Sequence, residues 1–361
     1  MNKNRVLRNA AISILVGLLV GAVIILILGK NPLTAYFNLL QGCGLAPKGK
    51  YAAGRGMLTD LCSYIDFLTP MIFAALAVAV AMKAGLFNIG VAGQMLAAGF
   101  IATITIGYSA IPAGLAKPLV LLIGAAVGAA LGAIVGFLKY RFNINEVVST
   151  IMFNYIVSYV VSFFINTRYV DAVSRQSRNI GENARLTLQN VLIAGYKFNI
   201  PLGFIVALVA VFVVKFVMDR TVLGFELKAV GLNNTAARYA GIAVGRSIVL
   251  SMVISGALAG LAGVTYYLGY FASIQPRVLV STGYDAIAVC LVGNSNPFGI
   301  LASTLLLQII SKGSTYMSSQ SGLESEIASV ITAIILLSTT ISVLYMELFG
   351  KLRSKKGGKT A

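Results

Sequence analysis

Seven apolar runs of about twenty residues set the terms for this chain: 10–28, 63–82, 118–138, 147–165, 201–218, 248–268 and 327–345. Each is long enough to cross a hydrocarbon core about 30 Å thick. In lipid every backbone polar group must be satisfied internally, so a spanning chain is either helical or a closed barrel. The short alternating strands of a barrel are not visible here. Only 11% of the residues are charged, against roughly 25% in a soluble domain. The reading is an all-α polytopic membrane protein, one transmembrane domain over residues 1–361. The run 10–28 is too long for a signal-peptide core and lacks a small-residue cleavage motif, so it counts as a span.

Two stretches fit less simply. Residues 85–106 form a span whose entry is interrupted by Gly85, Asn88, Gly90, Gly93 and Gln94. Residues 284–292 are apolar but short, and Gly293-Asn294-Ser295-Asn296-Pro297 breaks any helix before 298–310 resumes. If 284–292 crosses with help from Leu279 and Val280, there are about ten transmembrane helices and both termini are cytoplasmic. If it is a re-entrant half-helix, the number of crossings is odd. The net charge of +17 is concentrated at the ends, with Lys3, Arg5 and Arg8 at one and Lys351, Arg353, Lys355, Lys356 and Lys359 at the other. That is a positive-inside pattern with attraction to membrane lipid, not the footprint of a nucleic-acid binder. Residues 29–60 and 166–200 are then external. Cys43 and Cys62 share that outer side, where their pairing stays open, and no cysteine has metal-site spacing.

The long, charged, well-punctuated segment between two strongly apolar spans on the basic side is 220–246, RTVLGFELKAVGLNNTAARYAGIAVGR. Residues 223–230 predict a short helix ended by Gly231. Asn233 or Asn234 is a suitable N-cap for a second, and Gly241 a suitable stop. A capped helix pair at a membrane surface can transmit force where a floppy linker could not. GFELKAVGLNNTAARYAGI within this loop resembles the cytoplasmic loop of permease subunits in ATP-binding-cassette importers. The branch is the one serving simple sugars, nucleosides and branched-chain amino acids. AGLFNIGVAGQMLAAGF (84–100) is a second matching stretch, and with NEVVSTIMFNYI (145–156) it is most similar to nucleoside-type permeases, those linked to lipoprotein-type binding proteins. Many members carry Pro after the first Asn of the loop, where this chain has Asn234.

The resemblance implies a multi-pass permease in a bacterial-type plasma (inner) membrane, forming the path for a nucleoside or similar neutral polyhydroxylated solute. It implies three kinds of partner: ATPase subunits, a second permease that is identical or homologous, and an extracytoplasmic substrate-binding protein. ATP and Mg would be used by the ATPase, with no cofactor in this chain. The ATPase-coupling residues would be Gly231, Asn233, Ala236, Ala237, Arg238, Tyr239 and Gly241, with Ala236, Ala237 and Ala240 forming a narrow face that enters a groove.

Polar residues within spans supply the substrate-pathway candidates: Asn88 and Gln94 in the interrupted stretch, Asp66 near the outer end of its span, and Asn154 with Tyr155. Each has a plainer reading as an interhelical hydrogen bond or an interfacial group. Gly124, Gly128, Gly132 and Gly136 repeat at four-residue spacing on one helix face, as do Gly256 with Gly260 and Gly17 with Gly21. Intramolecular helix packing is the favoured reading of these stripes. An enzyme reading finds no histidine, no catalytic carboxylate pair and no metal site. A stand-alone ion-coupled carrier or channel is the alternative of a different class, disfavoured by the lack of a titratable cluster within the spans.

Overall fold

The structure is a computed structural model describing residues 3–51, 55–193, 196–324 and, beyond these, 326–327, 329–335 and 337–338. In chain order the helices are α1 (Lys3–Ile27), α2 (Pro32–Gly42), α3 (Met57–Lys83), α4 (Val91–Ala102), α5 (Ala113–Phe142) and α6 (Glu146–Phe164). After strands β1 (Thr187–Ile193) and β2 (Tyr196–Pro201) come α7 (Leu202–Arg220), α8 (Val222–Leu232), α9 (Asn234–Tyr239), α10 (Val244–Thr265), α11 (Thr282–Val292) and α12 (Pro297–Ser321). Two compact units result, one from residues 1–49 with 306–361 and one from 50–305.

The larger unit is built around α3, buried without a break from Leu68 to Ala81. A helix apolar on every side belongs at the centre of a bundle. Its neighbour α4 is buried throughout residues 91–100, which explains how a twelve-residue helix persists here: surrounded by protein, its ends need not reach water. Helices α5 and α10 cross through the glycine stripes. A Cβ on Gly128 would lie 2.1 Å from Gly256 O, and one on Gly260 would lie 1.9 Å from Gly124 O. The stripes therefore pack helix on helix within the chain. Around this centre α5, α6 and α7 each turn an apolar face outward, with Leu122, Met152, Tyr159, Phe163, Val209 and Phe216 among the exposed residues.

One end of the unit is capped by residues 166–200. Sequence reading placed a polar segment there and no strands, but β1 and β2 pair as an antiparallel hairpin. Ile180 N donates to Ala272 O, Gly181 N to Gly107 O and Leu186 N to Leu268 O. At the same end α4, α6 and α10 each finish in a widened π turn, at Thr103–Gly107, Ile165–Tyr169 and Tyr266–Phe271.

The segment after α10 runs the length of the bundle. It leaves the cap at Ala272, and Arg277 N donates to Ser162 Oγ of α6. Gly283, at the start of α11, lies against Ala92 at the start of α4. Cys290 then reaches Met82, at the opposite end of α3. Half extended and half helical, the chain traverses the unit before turning back into α12, a bend of 119°. By length and composition this bent pair is a broken span or a re-entrant loop.

In the smaller unit α1 and α2 meet at 117°. Asn31 caps α2 and Pro32 opens it, an N-terminal signal inside the stretch 29–60 that sequence reading placed outside as a segment between spans. Ile25, Ala35, Leu39, Met317 and Leu323 form its core. Gly17 and Gly21 face Ile335 and Ile331. Within this unit Cys43 Sγ is directed at Ile309 O.

Among the described residues five helices are long and apolar enough to cross a membrane, or up to seven if each bent pair is one span. The final run and the basic tail fall largely outside the described residues.

Candidate functional site

The interruption expected near residues 85–94 is real but shorter. The chain is irregular from Ala84 to Gly90, whereas Gly93 and Gln94 already belong to α4. Gly85 makes the reversal with φ +73°, a conformation open to glycine at no steric cost. The next polar residue, Asn88, is fully buried. Its Oδ1 accepts from Gly90 N at 2.9 Å, and its Nδ2 donates to Gln94 Oε1 at 3.0 Å and to Ser255 Oγ at 2.8 Å. Ser255 in turn donates to Ala77 O at 2.7 Å. One asparagine thus ties the entry of α4 to both α10 and α3.

Asn154 does the same from α6. Its Oδ1 accepts from Gly93 N at 2.8 Å, and its Nδ2 donates to Ile89 O at 3.0 Å and to Tyr284 Oη at 3.4 Å. Gly93 leaves room for this, since a Cβ there would fall 2.6 Å from Asn154 Oδ1. The N-termini of the two short helices, α4 and α11, therefore converge on Asn154 inside the bundle. Asn88, Gln94 and Asn154 form one joint, together with Ser255 and Tyr284, which sequence reading missed. Serine is unremarkable in a small-residue helix, and the tyrosine opens the short run 284–292, which was read only for whether it crosses.

The joint is closed in this conformation. The space bounded by Gly93, Gln94, Thr150 and Phe153 amounts to about 10 Å³, room for at most one water. Tyr155 stands apart. One residue along a helix turns the side chain by about 100°, and Tyr155 is 55% exposed on the outward face of α6. Asp66 also lies elsewhere. It accepts from Thr187 Oγ1 at 2.9 Å beneath the hairpin, eleven residues along α3 from Ala77, or roughly 16 Å. Arg185 is its electrostatic neighbour. Burial lowers the Arg185 guanidinium pKa, which the charges of Asp66 and Glu182 oppose. Arg185 donates to Gln189 and to Gly269 O, while its Nε has no partner among the described residues.

At the other end of the unit lie α8 and α9. The first helix continues through Gly231 instead of ending there. Asn233 is the N-cap of α9, its Oδ1 accepting from Thr235 N at 2.9 Å and Ala236 N at 3.0 Å. Gly241 closes the element at φ +80°. Ala237 points inward with Ala81, Leu86, Val230, Val244 and Ile248, so it anchors α9 and is not part of an outer face shared with Ala236 and Ala240. Those two alanines, Arg238 and Tyr239 are exposed. Tyr239 and Leu232 are 89% and 88% accessible. Gly231 rests on the turn between α3 and α4, where a Cβ would meet Lys83 O at 2.3 Å and Gly85 N at 2.8 Å. Gly231 thus packs on the stretch of chain that leads, three residues on from Gly85, to Asn88.

The larger unit is thus a helical bundle with a buried polar joint and, at one end, a capped surface helix pair. Residues 62–340 match the family described as branched-chain amino acid transport system / permease component. The chain belongs to that family. Over 99% of its length it is 34% identical to the nucleoside ABC transporter permease protein NupB of Lactococcus lactis subsp. cremoris, covering 97% of that protein. Over 95% it is 37% identical to the guanosine ABC transporter permease protein NupP of Bacillus subtilis, covering 96%. A solved ABC transporter assigned to the metal-chelate type, in an inward-facing conformation, has the same fold at TM-score 0.50 and 14% identity, covering 87% of this chain and 97% of that one. The chain is thus a multi-pass membrane permease subunit of an ABC importer, and the stand-alone carrier is set aside.

Proposed function

We propose that this permease imports a nucleoside, with ATP and Mg handled by separate ATPase subunits. The single observation carrying the substrate is that relatives matching almost end to end are named for nucleoside and guanosine transport. The closed joint at Asn88, Gln94 and Asn154 is the internal gate. Its hydrogen bonds are satisfied within the chain, so a solute passes when α4 and α11 part and their N-termini and amides turn to the path. Asp66 and Arg185 line the outer mouth, beneath a hairpin facing the substrate-binding protein. Tyr155 lies on a face available to lipid or to the second permease.

The ATPase side is α9. Exposed Ala236, Ala240, Arg238, Tyr239 and Leu232 form a surface whose small, aromatic and arginine content suits an interface core. Gly231, Asn233, Ala237 and Gly241 hold its shape. Nucleotide-driven closure of the ATPases would bias the two permease conformations through this element. Ten crossings with both termini cytoplasmic fit this arrangement in a bacterial-type inner membrane. It is tested by uptake of labelled guanosine in cells lacking other nucleoside uptake and expressing the permease with its ATPase and binding protein. Saturable guanosine uptake, competed by other nucleosides and not by glucose, is expected. Glucose uptake without guanosine uptake would reassign the substrate to sugars.

A further inference from the structure

Near the α8 end of the larger unit, away from the joint, lies a cleft of about 130 Å³ between α3, α7, α8 and the turn joining α11 to α12. Its charged lining is Lys83, Lys215, Lys228 and Asp219, with Asn294, Ser295 and Asn296 along the rim. Asp219 bridges two of the lysines, to Lys215 Nζ at 2.6 Å and Lys228 Nζ at 2.8 Å. Lys83 has no carboxylate partner among the described residues. Three lysines against one aspartate leave two positive charges in excess around a small concave space. Neighbouring helix ends account for part of this, because the C-termini of α3 and α7 favour cations. They do not account for a cavity, nor for a third lysine on α8.

The wall beside the cleft is apolar and faces outward. Phe212 of α7 packs edge-on against Phe298 of α12 with ring centroids 5.4 Å apart, and both rings are exposed, as is Phe216. Phe212 precedes Lys215 by three residues, about 4.5 Å along the helix and toward the bilayer centre. A cationic cleft at the cytoplasmic level, with an aromatic surface directly membrane-ward, matches one amphiphile in both parts: a phosphate group in the cleft and acyl chains along the rings. Basic pockets between helices on the cytoplasmic side are suited to anionic headgroups.

We propose that this cleft binds the phosphate headgroup of an anionic phospholipid of the inner leaflet. The site rests on the membrane placement given above and not on the substrate. It would hold α3, α7 and the α11–α12 turn together at the level where α8 meets the bundle.

The test is lipid retention, which is separable from transport. Wild-type permease is purified in neutral detergent with equal phosphatidylglycerol and phosphatidylcholine, and bound lipid is counted by native mass spectrometry. Phosphatidylglycerol should be retained at least fivefold over phosphatidylcholine. The double variant Lys83→Gln/Lys228→Gln should lose that preference, Lys83→Arg/Lys228→Arg should keep it, and Arg175→Gln, an exposed charge in the capping segment, should leave it unchanged. Equal retention of the two lipids by wild type would overturn the site even if the glutamine variant failed to fold. So would an unaltered preference in a monodisperse glutamine variant. Inorganic phosphate binding that depends on Lys83 and Lys228, without lipid preference, would assign the cleft to a soluble anion and overturn the lipid.

Discussion

The joint at Asn88 and Asn154 and the surface helix α9 are both short, polar and capped by asparagine, yet they face opposite conditions. In the joint the asparagine amides find partners within the chain, and the side chains are buried. On α9 the cap is satisfied by Asn233, while Tyr239 and Leu232 stand almost fully accessible. An internally satisfied polar cluster can hold one conformation alone, because each unmade buried bond would cost about 1–3 kcal/mol. In the reading proposed above, this bare aromatic and bare leucine belong to the surface that meets the ATPase. In that reading, one region is complete in the single chain and the other awaits a partner, and Gly231 against Gly85 is the contact that joins them.

The comparison presupposes the bundle, and breaking the bundle should give the largest effect. Gly128→Leu puts a side chain where a Cβ would already be 2.1 Å from Gly256 O. Helices α5 and α10 must separate, and no monodisperse protein is expected by size-exclusion chromatography of a fluorescent fusion. Wild-type yield and elution would show that the close crossing is not needed.

Next comes the joint. Asn154→Leu leaves Gly93 N and Ile89 O without partners, for an expected loss of about 2–5 kcal/mol in stability. Uptake should fall together with melting temperature. Asn88→Leu, which removes bonds to Gly90, Gln94 and Ser255, should behave alike. Loss of transport at unchanged melting temperature in either would mean that these amides contact solute in the resting state. At the small end, Tyr155→Ala on the exposed face of α6 should alter uptake less than about twofold and stability by less than about 0.5 kcal/mol. A large loss would place Tyr155 in the permease–permease interface.

Local signals were legible in the sequence and distant pairings were not. The Asn233-or-Asn234 cap, the Gly241 stop and a broken entry to α4 are each set by a few neighbouring residues; the cap falls on Asn233 and the break, expected at 85–94, spans 84–90. The partner of Asn88 is Ser255, 167 positions away, and nothing local points to it. Ala237 looked equivalent to Ala236 and Ala240 because alanine reports no direction. Its burial follows from the way Val244 and Ile248 of α10 come back beneath it. The hairpin at 187–201 was hidden for a related reason. Its strands pair only with each other and lie over the ends of helices, and Thr59 fastens them by donating to Lys197 O at 3.0 Å. The α2 helix, by contrast, carried a readable Asn31-Pro32 start inside a stretch read only as external.

The central claim is that α9 is the element through which an ATPase drives this permease. Ala236 is exposed, and α9 is anchored independently by Ala237. Ala236→Glu should therefore leave the isolated permease folded at its wild-type melting temperature. A charge forced unpaired into a close-packed interface is costly to desolvate. The measurement is co-purification of the ATPase with the Ala236→Glu permease, alongside guanosine uptake in the same cells. The account predicts at least tenfold less ATPase recovered, or normal recovery with ATP hydrolysed and no import. Wild-type recovery together with wild-type uptake would contradict it.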